Sequence, residues 1–110
     1  MNLEHLFDGL GTGDLRFAAS CTERSGAWVT LDGYVARTHD DRGWVLVDQP
    51  GACPDCSPVP VAAVQLPGFA PAVTPDPAVS STLHGRLSFG FRIGADGTAS
   101  FLRLDHATLA

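Results

Sequence analysis

The sequence predicts an all-β domain closed into a small barrel, and three observations carry that reading. Twelve glycines and eight prolines in 110 residues are too many for a helical bundle, because both residues interrupt helices, but they suit short strands joined by tight turns. Two stretches, 27–36 and 82–93, alternate apolar and polar residues with the period of a half-buried strand. Gly33 and Gly85 sit inside those stretches, as expected where a tightly coiled barrel brings a neighbouring strand too close for a side chain. At 110 residues, 45% hydrophobic and 17% charged, the chain has the size of one domain and enough apolar surface for one core.

The elements follow in order. Leu3, Leu6, Phe7 and Leu10 fall at helical spacing and Gly9 and Gly11 stop the pattern, which predicts a short N-terminal helix or turn. Residues 1–25 form this helix and a lead-in, and residues 27–106 form the barrel. From Ala27 to Ala36, Val29, Leu31, Gly33 and Val35 share one side and Thr30, Asp32 and Tyr34 the other. The turn signal Asp40-Asp41-Arg42-Gly43 leads into Trp44–Asp48, an apolar run expected to be buried on both faces.

Residues 49–58 carry three prolines and one glycine, which removes backbone donors and predicts a shaped loop. Val59–Leu66 reads as the third strand, followed by a proline-rich connection from Pro67 to Pro77. Thr82–Ile93 alternates most regularly. Leu83, Leu87, Phe89, Phe91 and Ile93 are expected toward the core, and His84, Arg86, Ser88 and Arg92 toward water. A glycine-bearing turn at 94–98 returns the chain as a fifth strand, Ala99–Leu104. Five strands and a short N-terminal helix make a five-stranded OB-like barrel, with a small open β-sandwich as the alternative.

Charge and composition narrow the partners. The formal net charge is −5 and all seven basic residues are arginine, scattered along the chain, so phosphate backbones and anionic membranes are disfavoured as partners. No apolar run approaches the roughly 18–20 residues that span a bilayer. The first eight residues carry acids and no basic cluster, which reads as cytoplasmic. An exported chain whose signal has been removed would begin the same way and lie in the periplasm. An odd count of three cysteines cannot form a complete intrachain disulfide framework.

The run Gly33-Tyr34-Val35-Ala36, then Trp44-Val45-Leu46-Val47, then Gly51-Ala52-Cys53 with Pro58 and Pro60 resembles a family of small bacterial OB-like proteins of unknown function. In that family a Gly-Tyr strand precedes an apolar strand ending in Gly-Ala-Cys and a proline-rich loop, usually behind an export signal. The resemblance spans residues 29–60 and implies the fold more than an activity. The missing export signal and the second cysteine, Cys56, depart from the pattern.

Cys53 and Cys56 are the residues most suggestive of chemistry. Two intervening residues let both sulfurs face one metal ion, for which zinc is the natural candidate. Further ligands would come from His39 or His84, from His106 or Cys21, or from a second subunit. A redox dithiol needs a helix N-terminus beside the first thiol, and Ser57-Pro58-Val59-Pro60 does not start one comfortably. The simplest reading is a loop braced by a local disulfide or by two packed thiols.

His39-Asp40-Asp41 fits a solvated turn better than an acid–base cluster. Arg86 and Arg92, flanking His84 and joined by Arg103, form a candidate anion-recognising surface, for which a solvated sheet face is the plainer account. Trp28, Trp44 and Tyr34 could stack bases or sugars, although core or half-buried packing is the expectation for both tryptophans. Gly9, Gly11 and Gly13 do not make a phosphate loop.

The resulting expectation is a non-enzymatic binding or structural module whose cysteine loop contacts a protein partner or a metal ion, with Trp44, Tyr34, Arg86 and Arg92 as candidate binding residues. The alternatives are a thiol redox or metal-delivery protein of the envelope and an oligonucleotide-binding domain. Either a monomer or a homodimer fits the sequence.

Overall fold

Alternation of buried and exposed residues dominates the computed structural model, which describes residues 3–8, 16–19, 23–37, 43–50, 63–93 and 99–110. A 3-10 turn, Leu3–Leu6, leads into β1 (Phe7–Asp8), which pairs antiparallel with β2 (Arg16–Phe17). The barrel strands are β3 (Trp28–Arg37), β4 (Trp44–Val47), β5 (Ala63–Gln65), β6 (Ser81–Ile93) and β7 (Ala99–Leu109).

They close in the order β3-β4-β5-β7-β6, with β6 pairing back onto β3. The β5–β7 seam is parallel, through Gln65 and Arg103, and the other pairings are antiparallel. Numbering the barrel strands alone, the order is first-second-third-fifth-fourth, and the fold is an all-β OB-like barrel.

On β3, Val29, Leu31 and Val35 are buried in the core and the intervening residues face outward, so the period-2 pattern is obeyed from end to end. Leu46 of β4 joins the same core, whereas Val45 and Val47, which alternate with it, are buried outside that cluster. This strand is covered on both faces, as its unbroken apolar run predicts. Gly33 and Gly85 sit where strands nearly touch. A Cβ on Gly33 would lie 2.9 Å from Leu46 Cγ, and one on Gly85 2.7 Å from Leu104 Cγ.

The expected N-terminal helix is a single 3-10 turn, and its Leu3 and Leu6, with Phe7, are buried in the barrel core. Between β5 and β6 the chain turns at Leu66-Pro67-Gly68-Phe69. Phe69 N–H donates to Leu66 O at 3.2 Å and Gly68 takes φ 70, the geometry of a type II turn with proline and glycine in their favoured places. Phe69 then returns to the core.

Two expectations are overturned. Phe91 and Ile93, expected in the core, are each 62% exposed. On β6, Phe89 pairs with Leu102 and Arg92 with Ser100, so Gly90 and Phe91 together oppose Phe101 alone. This bulge, with Gly90 at φ 128, adds one residue and breaks the alternation. Trp28, expected to be at least half-buried, is 57% exposed, because it occupies an outward position at the start of β3. The fifth strand also runs past Leu104 to Leu109.

Candidate functional site

Two surfaces on the β6–β7 half of the barrel combine exposed side chains with irregular backbone. The first is the outer face shared by β3, β6 and β7. Register places Trp28 opposite Arg86 and Thr30 opposite His84. On the other side of β6, Arg86 pairs with Asp105 and His84 with Thr108, so Gly85 alone spans His106 and Ala107.

The extra residue at this second bulge re-aims the chain. Ala107 returns to the core while His106 stays exposed, with a left-handed φ of 55. The result is an aromatic cluster. The Trp28 indole stacks on the His84 imidazole at 5.6 Å and 21°, and on the His106 imidazole at 6.3 Å and 24°. His84 Nδ1 is in hydrogen-bond contact with Thr30 Oγ1 at 3.2 Å, and Arg86 Nε donates to Gly26 O at 3.1 Å.

The second surface is the far end of the β6–β7 hairpin. Beyond Phe89 the strands continue as an arm on which Phe91, Ile93 and Phe101 are exposed, the two phenyl rings 5.4 Å apart. Arg92 pairs in register with Ser100, yet its guanidinium lies 3.9 Å from the Asp105 carboxylate. Five residues of extended strand span about 16 Å, more than the two side chains bridge, so the arm bends back at the Gly90 bulge.

Arg103 sits inside that bend, only 3% exposed. Its Nη1 donates to Gly90 O at 2.8 Å, Ser100 O at 3.2 Å and Ser100 Oγ at 3.0 Å, and its Nη2 donates to Ser88 Oγ at 3.0 Å. Nε is buried and has no hydrogen-bond partner among the described residues. Burial lowers the Arg103 pKa from its usual value, the Arg92 charge lowers it further, and Asp105 opposes both. The residue is a clamp that ties the arm to the barrel.

The sequence-derived candidates separate in space. Cys53, Cys56 and His39 lie outside the described residues, as does Cys21. His84 and Arg86 belong to the aromatic face. Arg92 lies 3.9 Å from Asp105 and remains half-exposed, whereas Arg103 is buried in the bend and does not join the others at the surface. Trp44 is half-buried on β4, edge-on to Phe69 at 6.1 Å with the Arg37 guanidinium 4.8 Å over its ring. Tyr34 is half-buried on the outer side of β3. Among the described residues no three histidine, cysteine, aspartate or glutamate side chains gather as a metal site, and no helix is long and apolar enough to cross a membrane.

Sequence reasoning missed the exposed arm and the bulge that sets His106 beside Trp28. The glycine inside the alternation at Gly90 is the signal that marks a bulge. For His106 the signal is weaker, since the irregularity arises opposite Gly85 on the neighbouring strand. Comparison with protein-family models, curated proteins and solved structures gave no match.

Proposed function

We propose that the chain is a non-enzymatic OB-like binding module that takes a protein partner on the β6–β7 arm. The observation that supports this reading is the arm itself. Phe91, Ile93 and Phe101 keep more than half of their surface in water, although an apolar side chain left exposed forgoes about 1.5–3 kcal/mol of burial. A buried arginine fixes the bend that presents them. Clustered exposed aromatic residues on a rigid support are the usual anchors of protein interfaces. The net charge of −5 favours a partner with a basic rim around an apolar groove.

The test compares the full chain with F91S/F101S by crosslinking in its native host, with thermal melts as the folding control. The expected result is one recurrent crosslinked protein, lost in F91S/F101S and retained in C53S/C56S, with the melting temperature of F91S/F101S unchanged. A partner that survives F91S/F101S but disappears with C53S/C56S would place recognition on the cysteine loop and end the arm reading.

A further inference from the structure

We propose that His84 and His106 form a surface site for a late first-row divalent cation, of the Ni2+, Cu2+ and Zn2+ class. The site is distinct from the arm. Its basis is the placement of two imidazoles on one face by the β6–β7 register. His84 is opposite Thr108, and His106 lies on the same face of the adjacent strand, across the bulge. Both imidazoles reach the one Trp28 indole, at 5.6 Å and 6.3 Å, a placement from which rotation of the two side chains can bring them to a single ion.

Three features favour this use over plain solvent exposure. The bulge opposite Gly85 and the left-handed φ of His106 leave that residue on the outer face that carries His84, a strained conformation of the kind that collects at functional sites. His84 is oriented by a neighbour. His84 Nδ1 is in hydrogen-bond contact with Thr30 Oγ1 at 3.2 Å, and in the tautomer in which Nδ1 donates, Nε2 carries the lone pair, the arrangement in which metal-ligating histidines are generally held. Stacking on Trp28 restricts both rings, which reduces the entropy lost when an ion fixes them.

The electrostatics agree. The chain carries a formal charge of −5, which concentrates divalent cations near its surface. Arg86, which follows His84 on the outer face of β6, is anchored through Nε to Gly26 O. No third histidine, cysteine or carboxylate joins the pair among the described residues, so water completes the coordination. Imidazole donors with open water positions suit Ni2+, Cu2+ and Zn2+ and not Mg2+ or Ca2+, which require oxygen ligands.

Trp28 supplies the readout, because its indole is 5.6 Å and 6.3 Å from the two rings. The full chain is titrated with NiCl2 while tryptophan emission and heat are followed, with MgCl2 as control. The expected result is one Ni2+ per chain, quenched emission and no response to Mg2+. H84A and H106A should each weaken binding by roughly tenfold or more, and both substitutions are at exposed positions that leave the core intact. W28F should keep the stoichiometry in calorimetry and lose most of the quench. Unchanged Ni2+ affinity in H84A and H106A, a quench that persists in W28F, or binding that disappears only in C53S/C56S would each overturn the proposal.

Discussion

At His106 the backbone takes φ 55, a left-handed conformation that costs an L side chain about 1–2 kcal/mol. Comparing H106A with H106G isolates that cost, because both lose the imidazole and only glycine adopts the angle freely. H106G is expected to be more stable than H106A by about 1 kcal/mol in urea unfolding, and equal midpoints would mean that the backbone relaxes at no cost. Gly85 poses the opposite problem. An added Cβ would meet Leu104 Cγ at 2.7 Å and Asp105 O at 2.8 Å, and the carbonyl cannot rotate away as a flexible side-chain end would. Gly85→Ala is therefore expected to cost about 1–3 kcal/mol or more. Among the described residues no heavy atom lies within 4 Å of such a Cβ on Gly43, so Gly43→Ala should stay within about 0.5 kcal/mol of the parent. A G85A midpoint as close to the parent as that of G43A would show that the β6–β7 approach is looser than these distances.

The β6–β7 arm shows what one inserted residue does to an element. Up to Phe89 the alternation read from sequence is the alternation observed, because one face of the strand is buried and the period is enforced by the core. Past Gly90 the same pattern of letters no longer reports burial, since the bulge shifts the parity and the strands run beyond the barrel. Arg103 is illegible for a related reason. Its position alternates with Leu102 and Leu104 and should face water, yet the bent arm covers it, and a bend is a long-range event that no local pattern encodes. The clamp makes a prediction of its own. Arg103→Met removes four donor contacts, to Gly90, Ser100 twice and Ser88, together with the penalty of a buried cation, and the two terms oppose each other. Amide exchange should then accelerate at Phe91, Arg92 and Phe101 while Leu31 and Leu83 keep their protection. Uniform acceleration across both sets would mean that Arg103 supports the barrel as a whole.

For the molecule as a whole, the barrel order was legible because glycines, turn residues and two amphipathic strands all point to the same closure. The function was less so, because its candidate surfaces depend on two bulges. The N-terminal contribution to the core was legible only in part. The spacing of Leu3, Leu6 and Phe7 allows a short helix or a turn, and the structure has the turn, a single 3-10 turn followed by a two-residue strand. The spacing of these apolar residues is satisfied by one turn, and the paired strands β1 and β2, fastened by Ala18 N–H donating to Leu6 O at 2.9 Å, hold it against the core. Leu6 is fully buried in the same cluster as Leu31, Leu83 and Leu104, so the segment is part of the hydrophobic core and not an appendage. Leu6→Ala is accordingly expected to cost about 2–5 kcal/mol, a large share of the roughly 5–15 kcal/mol that stabilises a domain of this size. Val73→Ala, at a position 78% exposed on the β5–β6 connection, should be near neutral and serves as the control. Urea unfolding followed by Trp28 and Trp44 emission decides the matter. A single transition displaced to lower urea in L6A makes the N-terminal turn one cooperative unit with the barrel, whereas an unshifted transition would show that the barrel closes without it.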